Sequence, residues 1–465
     1  MIPMTLAEIA AATGGTLVGA DPSIRVDGGV EYDSRLVEAG GLFAAFVGEK
    51  TDGHDFAADA LSAGAAAVLG TRPVDGPTVV VADPLDALTA LARVVLARLP
   101  AIAVVGITGS SGKTSTKDHV AQLLARLGPT VAARGSLNNE LGLPYTVLRA
   151  DVGTRFLVLE MGARGPGHIT HLCRIAPPGI GVVVNVGTAH IGEFGSVDAI
   201  ADAKAELVRA LPDDGVAVLN ADDERVRAMG ALTPAEVVTV GETPGATLRA
   251  VDVTLDERAR PSYRLRTPEG ETAVHLSVSG RHQVGNTLAA AAVARAAGLP
   301  LADIGAELGR LRPVSARRMD VFDRADGVTV IDDSYNANPA STAAALRALD
   351  AMGAGRRRIA VLGYLAELGE YERAGHEEVG RLAAELGVDR IVVIGTGAAP
   401  IHDGARAVVN WGGESVQVSD QEAAVAVLRA WLRPGDVVLV KGSRYRTWDV
   451  ADALRRPEAV GVTAP

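Results

Sequence analysis

The run Thr108-Gly109-Ser110-Ser111-Gly112-Lys113-Thr114 carries the most specific chemistry in the chain. An apolar segment, Ala101 to Ile107, leads into it, and a helix-compatible segment, Ser115 to Leu127, follows. Strand, glycine loop and helix in that order wrap successive backbone N–H groups around a polyphosphate and add the positive end of a helix dipole. Lys113 supplies a point charge for the outer phosphates, and the Thr114 hydroxyl suits Mg²⁺. The match to G-x-x-x-x-G-K-[ST] is incomplete, because Ile107 occupies the first glycine position and the nearby glycines are Gly106 and Gly109. A solvated turn with a surface lysine is the competing reading. The placement between a strand and a helix favours nucleotide binding.

Other groups suit the same chemistry. Glu160 ends an apolar run expected to lie beside the loop strand, where a carboxylate can reach a Mg²⁺ held by phosphates. Asn185 to His190 follows another strand and falls at the carboxyl edge of the sheet, where ligands bind in open α/β folds. His190 is either a metal ligand through neutral imidazole or a structural loop histidine. Lys204, in a helical stretch, reads locally as a solvated helix lysine. Asn286 precedes an Ala-rich helix and either meets a base or caps that helix; local evidence favours the cap. Asp332 to Pro339 suits ribose hydroxyls or a hydrated metal, and equally an Asx-rich turn. Arg317-Arg318 could meet phosphate across a cleft or form a solvated basic pair.

These groups must be positioned by an α/β scaffold. From about residue 100, strand-like runs at Phe156–Glu160, Gly181–Asn185 and Val216–Asn220 alternate with helical patterns at 113–127, 198–210 and 286–297, which reads as a parallel sheet. The more polar stretch 247–279 reads as an antiparallel excursion. Pro313 breaks the preceding helix, and the α/β rhythm then restarts as a Rossmann-like unit. Residues 1–99, 100–313 and 314–465 are the three expected domains, with linkers near 99 and 313 acting as hinges.

At 465 residues, with 48% apolar, each domain can bury a core. A net charge of −11 argues against nucleic-acid partners. The single cysteine, Cys173, suits a reducing cytosol and is expected to be packed and inert. No apolar run is long enough for a membrane span, and the N-terminus lacks a signal-peptide pattern, so a cytoplasmic protein is expected.

In order, Asp33-Ser34-Arg35, Asp52 to Phe56, the Thr108 to Thr114 loop, Glu160-Met161-Gly162, Thr188-Ala189-His190, Lys204, His282 to Asn286, Arg318-Met319, Asp332 to Pro339 and Lys441 to Arg444 resemble the Mur ligase family. These are ATP-dependent amide-forming enzymes of peptidoglycan synthesis. Leu137 to Pro144, Tyr335 to Pro339 and Leu362-Gly363…Glu367-Leu368-Gly369 are similar to the MurF branch, which joins D-alanyl-D-alanine to UDP-N-acetylmuramoyl-tripeptide. The resemblance implies three domains: an N-terminal UDP-substrate domain, a central P-loop ATPase-like domain and a C-terminal Rossmann-like domain. It implies that Thr108 to Thr114, Glu160 and His190 serve ATP and two Mg²⁺ ions, with Lys204 carbamylated to hold one of them. Asn286, Arg318 and Asp333 would hold the base, the γ-phosphate side and the ribose. Lys113, Lys204, His190 and Arg318 form the implied catalytic set. Ser34, Arg35, Asn138, Asn139, Asn336, Asn338, Lys441 and Ser443 are expected to bind the two substrates, and a monomer is expected. Tyr364, Gln283, Tyr445-Arg446 and Gly165-Pro166-Gly167-His168 depart from the branch pattern; Tyr364 and the Tyr445 region, in the third domain, bear on amine recognition rather than on phosphate chemistry. The alternatives are a MurE-like ligase adding a single amino acid, a P-loop ATPase or kinase, and a nucleotide-binding regulator.

Overall fold

A computed structural model describes residues 1–443 and 446–456; Arg444 and Tyr445 of the sequence motifs lie outside the described residues. Three main sheets form in chain order. The N-terminal sheet has five strands and is parallel except at the Thr16–Val18 edge. The helix Pro84–Ala97 closes this region. Asp83 caps it with bonds to the N–H groups of Leu85 and Asp86, and proline stands at its first position, where its missing N–H costs nothing.

The central sheet has nine strands. Its parallel part runs Glu236–Gly241, Val216–Asn220, Ile180–Val183, Ala103–Thr108, Phe156–Glu160 and Thr130–Ala132. The loop strand Ala103–Thr108 therefore lies between Ile180–Val183 and Phe156–Glu160. Ile107 pairs with Glu160 and Thr108 with Val183, so the ends of all three strands reach one edge together. The excursion expected at 247–279 is present. Leu248–Leu255 continues the parallel sheet, and Pro261–Thr267 and Gly270–His275 return antiparallel. The C-terminal sheet has six strands, parallel except for Asp320–Asp323. The sequence reading missed that strand, Glu414–Val418, and the helices Ala399–Arg406 and Trp448–Arg455. The first of these is short and carries Asp at both ends, which masks a strand pattern.

The packing separates the two linkers. One apolar cluster runs from Leu6, Leu88 and Leu91 of the N-terminal region into Leu143, Val147, Ile169 and Leu172 of the central region. Swinging the N-terminal region about residue 99 would part this shared core. Around residue 313 the connection is polar: the Gln122 amide exchanges two bonds of 3.0 Å with the Arg312 backbone, and Asp118 accepts from the Ser315 N–H at 3.1 Å. No helix among the described residues is long and apolar enough to cross a membrane.

Leu91 is fully buried in the shared cluster. Leu91→Ala is expected to lower stability by about 2–5 kcal/mol, the cost of a Leu-to-Ala cavity. Calorimetry should show the N-terminal and central regions melting together. A separate early transition for residues 1–99 would contradict the shared core.

Candidate active site

The loop's shape comes from its glycines. Gly112 adopts φ +80°, and a side-chain carbon there would lie 2.7 Å from Asn286 Oδ1. A carbon at Gly109 would crowd Val184 at 3.0 Å. Gly112 excludes other residues by conformation and approach, and a side chain at Gly109 would be strained and crowded. The helix Lys113–Leu124 starts on this loop without a side-chain cap, so its first N–H groups have no intrahelical or capping partner. Lys113 folds back to donate to the Gly109 carbonyl at 2.8 Å. Burial pushes its pKa down, opposed by the charge of Glu160.

Glu160 is 1% exposed, yet both carboxylate oxygens are held. Oε2 accepts from the Thr114 hydroxyl at 2.9 Å and Oε1 from Asn138 Nδ2 at 2.7 Å. Ser136 lies 2.9 Å from Thr114 Oγ1. Arg318 crosses from the C-terminal domain, donates to Ser136 Oγ at 2.9 Å and stacks on Tyr335 at 4.2 Å from the ring centre. Its neighbours Arg317 and Met319 have φ of 60° and 53°, a left-handed backbone on both sides. Arg317 is tied to Asp452 by two bonds, and the Met319 N–H donates to Asp333. Strain of this kind persists where surrounding contacts over-determine it.

These residues line one cleft of about 1100 Å³ between the central and C-terminal domains. Ser110 to Thr114, Asn138, Asn139, Glu160, His190, Asn286, Arg318, Asp333, Asn336, Asn338, Lys441 and Ser443 are all on its wall. Lys204 is 4% exposed and is not on that wall. The solvated-lysine reading is therefore wrong, because the folded sheet covers this helix face. Burial, and then the Lys113 charge, push the Lys204 pKa down to about 7. His190 Nδ1 stands 2.5 Å from Glu367 Oε2, a contact between domains. Asn286 lies inside the helix Gln283–Ala296, and its side chain does not cap it, contrary to the local reading. The helix begins three residues earlier than its Ala-rich part suggests.

Several expected ligand residues also have structural partners. Asn338 caps the helix Pro339–Met352 in a reciprocal box with Ser341, and Asn139 accepts from the Gly142 N–H. Lys441 donates to Asp333 Oδ2 at 2.6 Å and to the Asn336 carbonyl at 2.8 Å. Ser443 joins the Tyr364 carbonyl to the Ala366 N–H. The Tyr364 ring is off the cleft wall and lies beside His376, with its hydroxyl on Glu372 at 2.5 Å. Ser34 and Arg35 form a short turn in the N-terminal domain, away from this cleft wall. Arg35 is 84% exposed and paired with Asp33, whose carboxyl it holds down at about 2. Asp52 caps the Gly53–Phe56 turn through the His54 N–H and also meets the His54 ring and Arg72.

Three groups gain partners that the sequence reading did not assign them. Asn185 Oδ1 accepts from the N–H groups of Ser110 and Ser111 at 3.0 and 2.9 Å. Ser136 bridges Thr114 and Arg318, and Glu367 meets His190. Asn185 was detectable as a polar residue just beyond a strand adjoining the loop strand. Ser136 carries no local signal, and Glu367 was read only as part of a branch motif. Among the described residues, no group of three or more His, Cys, Asp or Glu could hold a metal by itself.

Three family models match the chain: the Mur ligase family catalytic domain over residues 28–98, the Mur ligase middle domain over 107–294 and the Mur ligase glutamate ligase domain over 317–444. The chain is 49% identical to the UDP-N-acetylmuramoyl-tripeptide–D-alanyl-D-alanine ligase of Mycobacterium tuberculosis, covering 100% of both chains. It is 35% identical to the Escherichia coli enzyme of the same name, covering 96% of each. The structure is similar to MurF from Acinetobacter baumannii, with a TM-score of 0.85 at 32% identity, covering 97% of this chain and 98% of that one. It also matches Thermotoga maritima MurF in complex with ADP, with a TM-score of 0.77 at 31% identity, covering 92% and 96%. A glycine loop, an acid paired to its threonine and an arginine brought from a second domain stand together in a chain that belongs to the Mur ligase family, in its MurF branch.

Proposed function

We propose that this protein is an ATP-dependent ligase that joins D-alanyl-D-alanine to UDP-N-acetylmuramoyl-tripeptide in the cytoplasm and acts as a monomer. The observation that carries this reading is the convergence of Lys113, Thr114, Glu160 and Arg318 on one cleft wall. A carboxylate does not condense with an amine in water, because the leaving group would be hydroxide. Transfer of the γ-phosphoryl group to the carboxylate breaks the bond to ADP and forms an acyl phosphate. The amine then attacks the acyl carbon, phosphate leaves and the amine releases a proton. Carboxylate and triphosphate repel each other, and Lys113 and Arg318 offset that repulsion.

The uncapped start of the helix Lys113–Leu124 and a loop whose glycines leave no room for side chains at 109 and 112 fit a polyphosphate. Thr114 and the single carboxylate of Glu160 fit Mg²⁺, which is commonly held by one or two carboxylates together with substrate phosphates. When bound, Mg²⁺ supplies positive charge to the phosphates. His190 and a carbamylated Lys204 would hold a second ion. Asp333 and Lys441 sit opposite the loop, across the cleft, where ribose and amine substrate are expected. The linker near 313 is the hinge that would close the cleft and exclude water from the acyl phosphate.

Phosphate release should depend on both the UDP-tripeptide and D-Ala-D-Ala, and mass spectrometry should find the joined product. Equal phosphate release without the dipeptide would favour an ATPase, and a product carrying one amino acid would favour the MurE-like reading.

Lys204 is buried with its pKa pushed down to about 7, so at neutral pH much of it is the neutral amine that reacts with carbon dioxide. Lys204→Ala should lose most activity and regain part of it when acetate or formate is added. A fully active variant would remove the lysine from the site.

Arg35 is exposed, and the donors its pairing with Asp33 leaves free suit the pyrophosphate or uracil oxygens of the UDP substrate. Arg35→Ala should raise the KM for that substrate by about tenfold, the loss of one charge-assisted contact. The KM for ATP should change little; equal rises in both would assign Arg35 to the fold.

A further inference from the structure

Lys117 lies in the second turn of the helix Lys113–Leu124 and is 1% exposed. Its ammonium has three donors and three acceptors around it: the Ala133 carbonyl at 2.5 Å, the Gly135 carbonyl at 3.0 Å and Asp118 Oδ1 at 2.8 Å. Ala133 and Gly135 follow the strand Thr130–Ala132, in chain that belongs to no helix or strand, and lead directly into Ser136. Ser136 Oγ accepts from Arg318 Nη2 at 2.9 Å. Asp118 is buried too, and its Oδ2 accepts from the N–H of Ser315, three residues before Arg318, at 3.1 Å. One adjacent pair on the helix thus reaches Arg318 by two routes. Lys117 holds the segment that carries its hydroxyl partner, and Asp118 holds the linker that carries its backbone.

We propose that Lys117 and Asp118 are positioning residues that set the Arg318 guanidinium at its working place in the cleft. This rests on the reading of Arg318 as the arginine on the γ-phosphate side. Neither Lys117 nor Asp118 is on the cleft wall, so neither meets a substrate directly. Burying an ion pair adds little net stability, because desolvation offsets the attraction; what the pair supplies here is fixed geometry. The Ala133 and Gly135 carbonyls accept charge-assisted bonds, which resist any shift of the chain leading to Ser136. Tyr335 supports only the face of the guanidinium, and Arg318 Nε is buried with no partner among the described residues. Orientation within its plane therefore depends on Nη2, which meets Ser136 and, at 3.4 Å, Thr114. Moving Ser136 would let the guanidinium turn on the tyrosine ring.

The test is kinetics of the full-length protein with ATP, Mg²⁺, UDP-N-acetylmuramoyl-tripeptide and D-Ala-D-Ala, beside calorimetric binding of ADP with Mg²⁺. Phosphate release is followed at high enzyme concentration, so that slow variants are measured. Lys117→Met nearly keeps the length of the side chain and removes its charge. It should lower kcat by about 10–100-fold, the cost of misplacing a reacting group by about 1 Å. ADP affinity should be unchanged, because ADP lacks the γ-phosphate. In an Arg318→Ala background the same substitution should cause no further loss, because the group it positions is gone. Circular dichroism checks the fold; if Lys117→Met does not fold, Asp118→Asn, similar in size but uncharged, carries the same test. A loss of ADP affinity as large as the loss in kcat would make Lys117 a general support of the helix and overturn the proposal. An undiminished loss in the Arg318→Ala background would also overturn it. Wild-type kcat in Lys117→Met, beside an Arg318→Ala enzyme that has lost activity, would overturn the proposal alone. Wild-type turnover in Arg318→Ala would overturn the reading of Arg318 as well.

Discussion

The site depends on one buried carboxylate. Glu160 would be costly to bury alone, and its two oxygens are matched to the Thr114 hydroxyl and the Asn138 amide. That match joins the glycine loop to the segment carrying Ser136 to Asn139. Through Ser136 it extends to Arg318 of the C-terminal domain. It exists because Glu160 pairs with Ile107, one residue before the loop begins. In a parallel sheet the carboxyl ends of neighbouring strands share one edge, so a single register sets acid and loop side by side.

The two ends of the central domain are joined to their neighbours in different ways. The N-terminal region shares an apolar core with it, and such a core resists partial opening. The C-terminal domain meets it chiefly across the cleft: Arg318 on Ser136, Glu367 beside His190, and the linker held by Asp118 and Gln122. An apolar patch around Ile191 and Ile200 adds to this contact. Polar contacts across a solvent-filled cleft are individually weak and directional, which suits an interface that can re-form around a ligand.

Half of the left-handed non-glycine residues among the described residues lie at this boundary. His190, Arg317, Met319 and Glu367 all have φ between 53° and 66° without being glycine. Each either supplies a side chain to the cleft or stands beside one that does. The left-handed residues on both sides of Arg318 aim its guanidinium back across the cleft, while Asp452 and Asp333 hold the chain in that conformation.

What the sequence determined by itself was local or periodic. The glycine loop, the strands that frame it, the antiparallel excursion and the placement of Glu160 beside the loop were legible, because strand period and parallel register carry that information. The ordered motifs also pointed to the family. Burial and long-range partners were decided by the tertiary structure. Lys204 reads as a solvated lysine until other elements cover it, and Asn286 reads as a cap until the helix is seen to start earlier. Asn185 meets Ser111 from 74 positions away, and Arg318 meets Ser136 from 182. No local pattern encodes such pairs, because a hydrogen bond depends on distance in space, and only the packed sheet and the two domains around the cleft set that distance.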